Sequence, residues 1–261
     1  MNTFEIKEIC LSYNHHPVVQ NLSFQLAEGE MVGLLGPNGC GKTSVIKAMS
    51  RALSLRAGNI RLYGKELNIV SRSDLARQIG VVPQNPSLPD TFSVMEVVLL
   101  GRNPHLGLLR NESSRDIAIV EWAMERTGIA ALADRKIGEL SGGEKQRVTI
   151  ARILAQEPKI ILLDEPTANL DISHQLEILN LVKGLCKEKN LVVLIAMHDL
   201  NLAAQYCDRL LLMKDGRIHA TGAPWEVITA TNIEEVFKTT SYIYPHPDNN
   251  LPVVLLSSSH K

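Results

Sequence analysis

Gly36-Pro37-Asn38-Gly39-Cys40-Gly41-Lys42-Thr43-Ser44 lies between an apolar run, Met31-Val32-Gly33-Leu34-Leu35, and a helical pattern, Val45-Ile46-Lys47-Ala48-Met49. Strand, glycine-rich loop and helix in that order make the setting of a phosphate-binding loop. The glycines let successive backbone N–H groups turn inward around a polyphosphate, and the helix aims its positive end at the same place. Lys42 is placed to reach the β- and γ-phosphates, and the Thr43 hydroxyl to ligate Mg²⁺. A plain glycine turn before a helix would leave the Lys42-Thr43 pair without a purpose. The stretch predicts an α/β core arranged around a nucleoside triphosphate.

The rest of the chain is read outward from that loop. Its 261 residues suffice for one large domain or two small ones, and 45% are hydrophobic, enough for a substantial core. The 27 Lys and Arg nearly balance the 28 Asp and Glu, so nothing suggests a general affinity for nucleic acid or anionic lipid. The longest apolar runs, such as Leu191 to Met197, are too short to cross a bilayer, and the charged start (Glu5, Lys7, Glu8) does not read as a signal peptide. Cys10, Cys40, Cys186 and Cys207 form no CxxC pair and no metal-like cluster. The expectation is a reduced, cytosolic protein.

Phe4 to Ile9 alternates as a half-buried strand does, and Val18 to Leu26 reads as a second strand. Between them, Tyr13 is either an ordinary turn-flanking aromatic or a platform for a purine ring, and His15-His16 reads as a solvated turn. Gly58 to Gly64 and Ile79 to Val82 read as further strands. From Asn85 to about Pro158 helical patterns dominate, with Ser93, Ser113 and Ser114 as candidate caps. This segment reads as a helical subdomain inserted into the core. It closes on Leu140-Ser141-Gly142-Gly143-Glu144, a second turn opening onto a helix, either a helix cap or a second anion-binding helix end. Ile160 to Leu163 and Leu191 to Ala196 are fully buried strand patterns. Asp215-Gly216 marks a hairpin, Leu251 to Leu256 a candidate edge strand, and Ser257 to Lys261 a frayed tail.

In open α/β sheets ligands bind beyond the carboxyl ends of the strands. Four apolar runs here end in special polar residues: the phosphate loop, Gln84, Asp164-Glu165 and His198. If the strands are neighbours, these groups converge. Thr43, the phosphates and Asp164, through water, then suit Mg²⁺, and Gln84 either ligates the ion or reports its presence. Glu165, one residue beyond the ion's ligand, suits orientation or deprotonation of an attacking water, and His198 a hydrogen bond to the γ-phosphate or that water. Cys40 sits among inward N–H groups at a helix N-terminus, where thiolate is favoured; the alternative is a small space-filling residue.

Together these residues resemble the ATP-binding cassette (ABC) family, the motor subunits of ABC transporters, over essentially the whole chain. Gly36–Thr43 resembles Walker A, Ile160–Glu165 resembles Walker B with its catalytic glutamate, and Leu140–Glu144 is similar to the family's signature motif, with Glu144 where Gln is usual. Gln84 matches the Q-loop, His198 the switch histidine and Tyr13 the adenine-stacking aromatic. The resemblance implies a P-loop NTPase core, a mostly parallel sheet flanked by helices, with an antiparallel β subdomain and an inserted α-helical subdomain at roughly 85–158, all in a single domain spanning 1–261. It implies ATP and Mg²⁺ as cofactors. It implies a head-to-tail homodimer in which Ser141, Gly142, Gly143 and Glu144 contact ATP held by a second copy, with Asp171 serving subunit communication. Ala168-Asn169-Leu170 departs from the commoner Ser-Ala-Leu before that aspartate, and Thr43-Ser44 replaces Ser-Thr.

Within the family, Asp74 to Gln84, Val97 to His105 and Met197 to Asn201 resemble importers of iron–siderophore, haem or cobalamin. That likeness implies an ATP hydrolase bound peripherally at the cytoplasmic face of a membrane. Its partners would be integral-membrane permease subunits and, indirectly, a periplasmic or surface substrate-binding protein, with no nucleic acid involved. The competing readings are a soluble ABC ATPase without a transport role, such as an iron–sulfur assembly scaffold, and the ATPase of a free-metal importer or an exporter.

Overall fold

The computed structural model describes residues 2–14, 16–106, 112–168 and 170–257. His15, Asn169 and the tail at 258–261 lie outside them. In chain order the elements are β1 (Asn2–Tyr13), β2 (His16–Ala27), β3 (Met31–Leu35), α1 (Lys42–Met49), β4 (Ala57–Leu62), β5 (Lys65–Glu66), α2 (Arg72–Gln78) and β6 (Ile79–Val82). Then come α3 (Val94–Leu99), α4 (Ser114–Arg126), α5 (Gly142–Ala155), β7 (Ile160–Asp164) and α6 (Ile172–Glu188). The chain ends with β8 (Val192–Ala196), α7 (Leu200–Tyr206), β9 (Arg209–Lys214), β10 (Arg217–Gly222), α8 (Pro224–Val227), α9 (Ala230–Phe237), β11 (Ser241–Pro245) and β12 (Pro252–Leu256). The chain is thus mixed α/β, with parallel and antiparallel strands. It divides into two compact units, Met1–Val70 with Val192–Lys261, and Ser71–Leu191.

In the first unit β1 pairs with β2 and with β4, all antiparallel, and β5 follows β4. Alternation in β1 places Phe4, Ile6, Ile9 and Leu11 in the core at 1% exposure or less, as a one-faced sheet requires. β3 runs parallel to both β8 and β9. Every residue of β3 and β8 is buried, which is why their sequences read as unbroken apolar runs. β9 and β10 form the expected hairpin, with Asp215 and Gly216 at φ 46° and 75°, the double left-handed turn that matches strand twist. β12 pairs with β11, a strand that sequence periodicity missed because Ser-Tyr-Ile-Tyr-Pro is short and mostly exposed.

In the second unit β6 and β7 pair in parallel, Val82 opposite Leu163. The segment expected to be helical holds α3, α4 and α5, which pack on one another. Ser93, Ser113 and Ser141 each close a capping box, with Glu96, Asp116 and Glu144. Beyond α3 a 3₁₀ turn carries Arg102, which is only 3% exposed. Its Nε donates to Asp116 Oδ1 at 2.8 Å, and its Nη1 to Ala155 O and Glu157 Oε2 at 2.7 and 2.8 Å. One guanidinium therefore joins the start of α4 to the end of α5.

Removing Arg102 would leave the Asp116 carboxylate without its cationic partner, held only by Ser113. Arg102→Ala is expected to cost about 3–5 kcal/mol, the usual effect of breaking a buried pair, measurable as a lower urea midpoint by circular dichroism. The Ser113 hydroxyl and N–H, and then Arg102, hold the Asp116 carboxyl well below the ordinary carboxylate range. Its contribution to stability is therefore complete above the unfolded pKa of about 3.9 and disappears as pH falls beneath that value.

Candidate functional site

The phosphate loop leaves buried β3 at Gly36 and enters α1 at Lys42. Gly36 has φ +147°, and a Cβ there would lie 2.5 Å from Met213 O and 2.7 Å from Cys40 Sγ, so only glycine fits. Gly41, the N-cap of α1, is left-handed at φ +108° and brings no side chain to accept from the first turn, which also lacks an acidic residue. The helix start is therefore arranged to receive an anion from outside. Lys42 is only 4% exposed. Its Nζ donates to Gly36 O at 2.9 Å and Pro37 O at 3.4 Å, which holds the ammonium over the loop. Pro37 and Thr43 are half-buried, Asn38 and Gly39 exposed, and Ser44 buried.

Cys40 does not match the thiolate expectation. It is 4% exposed and packs against Gly36, and burial pushes its thiol upward despite the opposing effect of Lys42. Desolvation outweighs the helix end here. Cys40 is expected to react with iodoacetamide at pH 7.5 more slowly than a free thiol, because burial both raises its pKa and limits access to the sulfur. Mass spectrometry of the native protein measures it.

Tyr13 ends β1 opposite His16 with its ring exposed, open for stacking on a purine. His198 lies two residues past β8 and is exposed. The next residue, Asp199, caps α7 through the N–H groups of Asn201 and Leu202 at 2.8 and 2.9 Å, fixing the turn that presents His198.

In the second unit, Asp164 is the buried last residue of β7, 4% exposed. Glu165 follows in a left-handed conformation, φ +50°. For a side chain other than glycine this costs about 1–2 kcal/mol, a strain of the kind that clusters at functional sites. Gln84 Nε2 donates to Glu165 Oε2 at 2.7 Å. The polar groups that end β6 and β7 thus meet, as the strand-end argument expects.

Ser141 and Gly142 are exposed at the start of α5. Here the cap comes from within: Ser141 N and Oγ each donate to Glu144 Oε2 at 2.8 Å, and Glu144 N donates to Ser141 Oγ at 3.3 Å. The Ser141 hydrogen bonds hold the Glu144 carboxyl below its ordinary range. The two helix starts thus differ: α1 carries no anion of its own, whereas α5 carries Glu144. Asp171 caps α6, its Oδ1 accepting from His174 N at 2.9 Å and lying 2.8 Å from His174 Nδ1. Sequence reading passed over His174. Its spacing of three from the capping aspartate was the available signal, since such pairs meet on one helix face.

The chain matches the model of the ABC transporter family over residues 19–168. It is 39% identical over 255 residues, 98% of this chain and 95% of the relative, to the iron(3+)-hydroxamate import ATP-binding protein FhuC of Bacillus subtilis (strain 168). It is 42% identical over 241 residues, 91% of each chain, to the hemin import ATP-binding protein HmuV of Aliivibrio fischeri (strain ATCC 700601 / ES114). Among solved structures it resembles a metal-chelate type ABC transporter in an inward-facing conformation, with a TM-score of 0.86, 27% identity and 98% coverage of both chains. With a family match over more than half its length and relatives aligned nearly end to end, the chain belongs to the ABC transporter family, as one of its ATP-binding proteins.

Proposed function

We propose that this chain is the ATP-hydrolysing subunit of an importer that moves a metal chelate, of the iron–siderophore, haem or cobalamin class, through a separate integral-membrane permease. The carrying observation is 39–42% identity over at least 91% of the chain to import ATP-binding proteins for iron hydroxamate and hemin. Among the described residues no helix is long and apolar enough to cross a membrane. The chain works as a single ATP-binding domain over 1–261, attached peripherally to the cytoplasmic face. A periplasmic or surface binding protein delivers the chelate to the permease.

The residues divide the chemistry. Gly36 to Ser44 cradle the phosphates, with Lys42 offsetting negative charge on the β- and γ-groups and Tyr13 stacking on adenine. Thr43, Asp164 and Gln84 supply hydroxyl, carboxylate and amide oxygens, the hard donors Mg²⁺ takes. Bound Mg²⁺ supplies charge neutralisation of the phosphates. Glu165 takes a proton from the attacking water, and its 2.7 Å hydrogen bond from Gln84 fixes the carboxylate's direction. His198 hydrogen-bonds the γ-phosphate or the water. Ser141 to Glu144 and Asp171 meet ATP held by a second copy in a head-to-tail dimer.

Extraction of native membranes with mild detergent, followed by affinity capture of this chain, is expected to bring down an integral-membrane partner. Reconstituted in liposomes, that complex is expected to hydrolyse ATP faster with the cognate chelate and binding protein than without. Capture with no membrane protein at all would refute the transporter reading.

A further inference from the structure

His174 stands between the two segments that the dimer reading assigns to a second copy's nucleotide. On one side its Nδ1 lies 2.8 Å from Asp171 Oδ1, which Ser173 Oγ also approaches at 3.4 Å. A carboxylate only accepts, so Nδ1 carries the proton and donates. On the other side the ring packs on the signature turn: a Cβ built at Gly143 would meet His174 Cδ2 at 3.1 Å and Nε2 at 3.4 Å. Gly143 is therefore the residue that admits the imidazole. A second tie runs alongside, from Arg147 on α5 to Glu177 on α6, one turn beyond His174.

We propose that His174 is a positioning residue that locks Asp171 to the Ser141–Gly143 turn, so that both segments present themselves to the partner's nucleotide as one unit. The inference rests on the head-to-tail reading above. The ring's Nδ1 fixes the direction of the Asp171 carboxylate, and its opposite edge sets the height of the signature turn. Neither segment could then adjust to the partner alone. His174 is not among the residues assigned above to the ATP bound by its own chain, so its loss is expected to act on hydrolysis in the dimer and to leave first-site binding intact.

The test uses the full chain in its membrane complex for turnover and the isolated subunit for binding. His174→Ala is expected to lower kcat about tenfold, the effect of losing one coupled contact within a network. KM and the calorimetric ATP affinity of the lone subunit should stay within about twofold, a change of at most a few tenths of a kcal/mol. His174→Asn, whose amide nitrogen occupies the place of Nδ1 but which lacks the ring edge against Gly143, should recover only part of the rate; a merely structural role would instead track the melting temperature. Asp171→Ala separates the two levels. If it slows turnover while His174→Ala does not, the positioning role is refuted and the dimer reading survives. If Asp171→Ala leaves turnover unchanged, the dimer reading fails and this inference falls with it. A His174→Ala defect that appears equally in lone-subunit ATP binding also overturns the proposal.

Discussion

Glu165→Gln is expected to lower ATP turnover by about 10²–10⁴-fold, the usual contribution of a positioned general base, while ATP binding persists. The substitution removes the charge and the basicity and keeps the shape. The left-handed backbone at Glu165 demands nothing of a carboxylate in particular, and the new amide can offer its oxygen to Gln84 Nε2 as the carboxylate does at 2.7 Å. The local fold should therefore survive, and the loss should fall on the proton-transfer step. With ATP bound and uncleaved, the subunits should accumulate as a nucleotide-bound dimer, visible by size-exclusion chromatography with light scattering. Turnover at the wild-type rate would remove Glu165 from the reaction. Glu165→Gly makes a useful contrast, because it relieves the backbone strain but leaves Gln84 without its acceptor. It should be as inactive as the glutamine variant and no less folded.

Lys42→Ala is expected to weaken ATP binding by roughly 10- to 100-fold, corresponding to the loss of one charge-assisted contact worth about 1.5–3 kcal/mol. Lys42 is held at 4% exposure with its ammonium against Gly36 O and Pro37 O, so it is already inside the cradle before nucleotide arrives. Little side-chain entropy remains to be lost on binding, which favours affinity. Arginine should not rescue the site. A planar guanidinium has no room at so enclosed a position and presents its donors as a fixed fork rather than a compact point charge. Isothermal calorimetry on the isolated subunit, with circular dichroism to show an intact fold, decides the matter. An unchanged affinity would withdraw the phosphate-loop assignment.

Much of this was legible in the sequence because it is local. A strand, a glycine loop and a helix are contiguous at 31–49, and the buried strands at 160–164 and 192–196 announce themselves as unbroken apolar runs. Ser93 and Ser113 were recognisable as caps since their partners Glu96 and Asp116 lie three residues on. What escaped depends on contacts between distant positions. Arg102 sits in an Arg-Asn-Pro-His stretch that looks like surface, and only the folded chain brings Asp116, Ala155 and Glu157 around it. The packing of His174 on Gly143 spans two helices, and periodicity within either one does not report it. Cys40 was left between two readings for a related reason: a helix end is visible in sequence, whereas the burial that opposes it is not.

The contrast between the two helix starts has a thermodynamic consequence. Because Gly41 gives α1 no side-chain cap, a polyphosphate bound at that helix start would pair with N–H groups of the first turn and would be expected to stabilise the fold. A ligand at a hundred times its dissociation constant adds about 2.7 kcal/mol to stability. Added ATP is therefore expected to raise the melting temperature of the isolated chain, measurable by differential scanning fluorimetry. The residue that leaves the helix start without a cap would thus couple nucleotide binding to thermal stability.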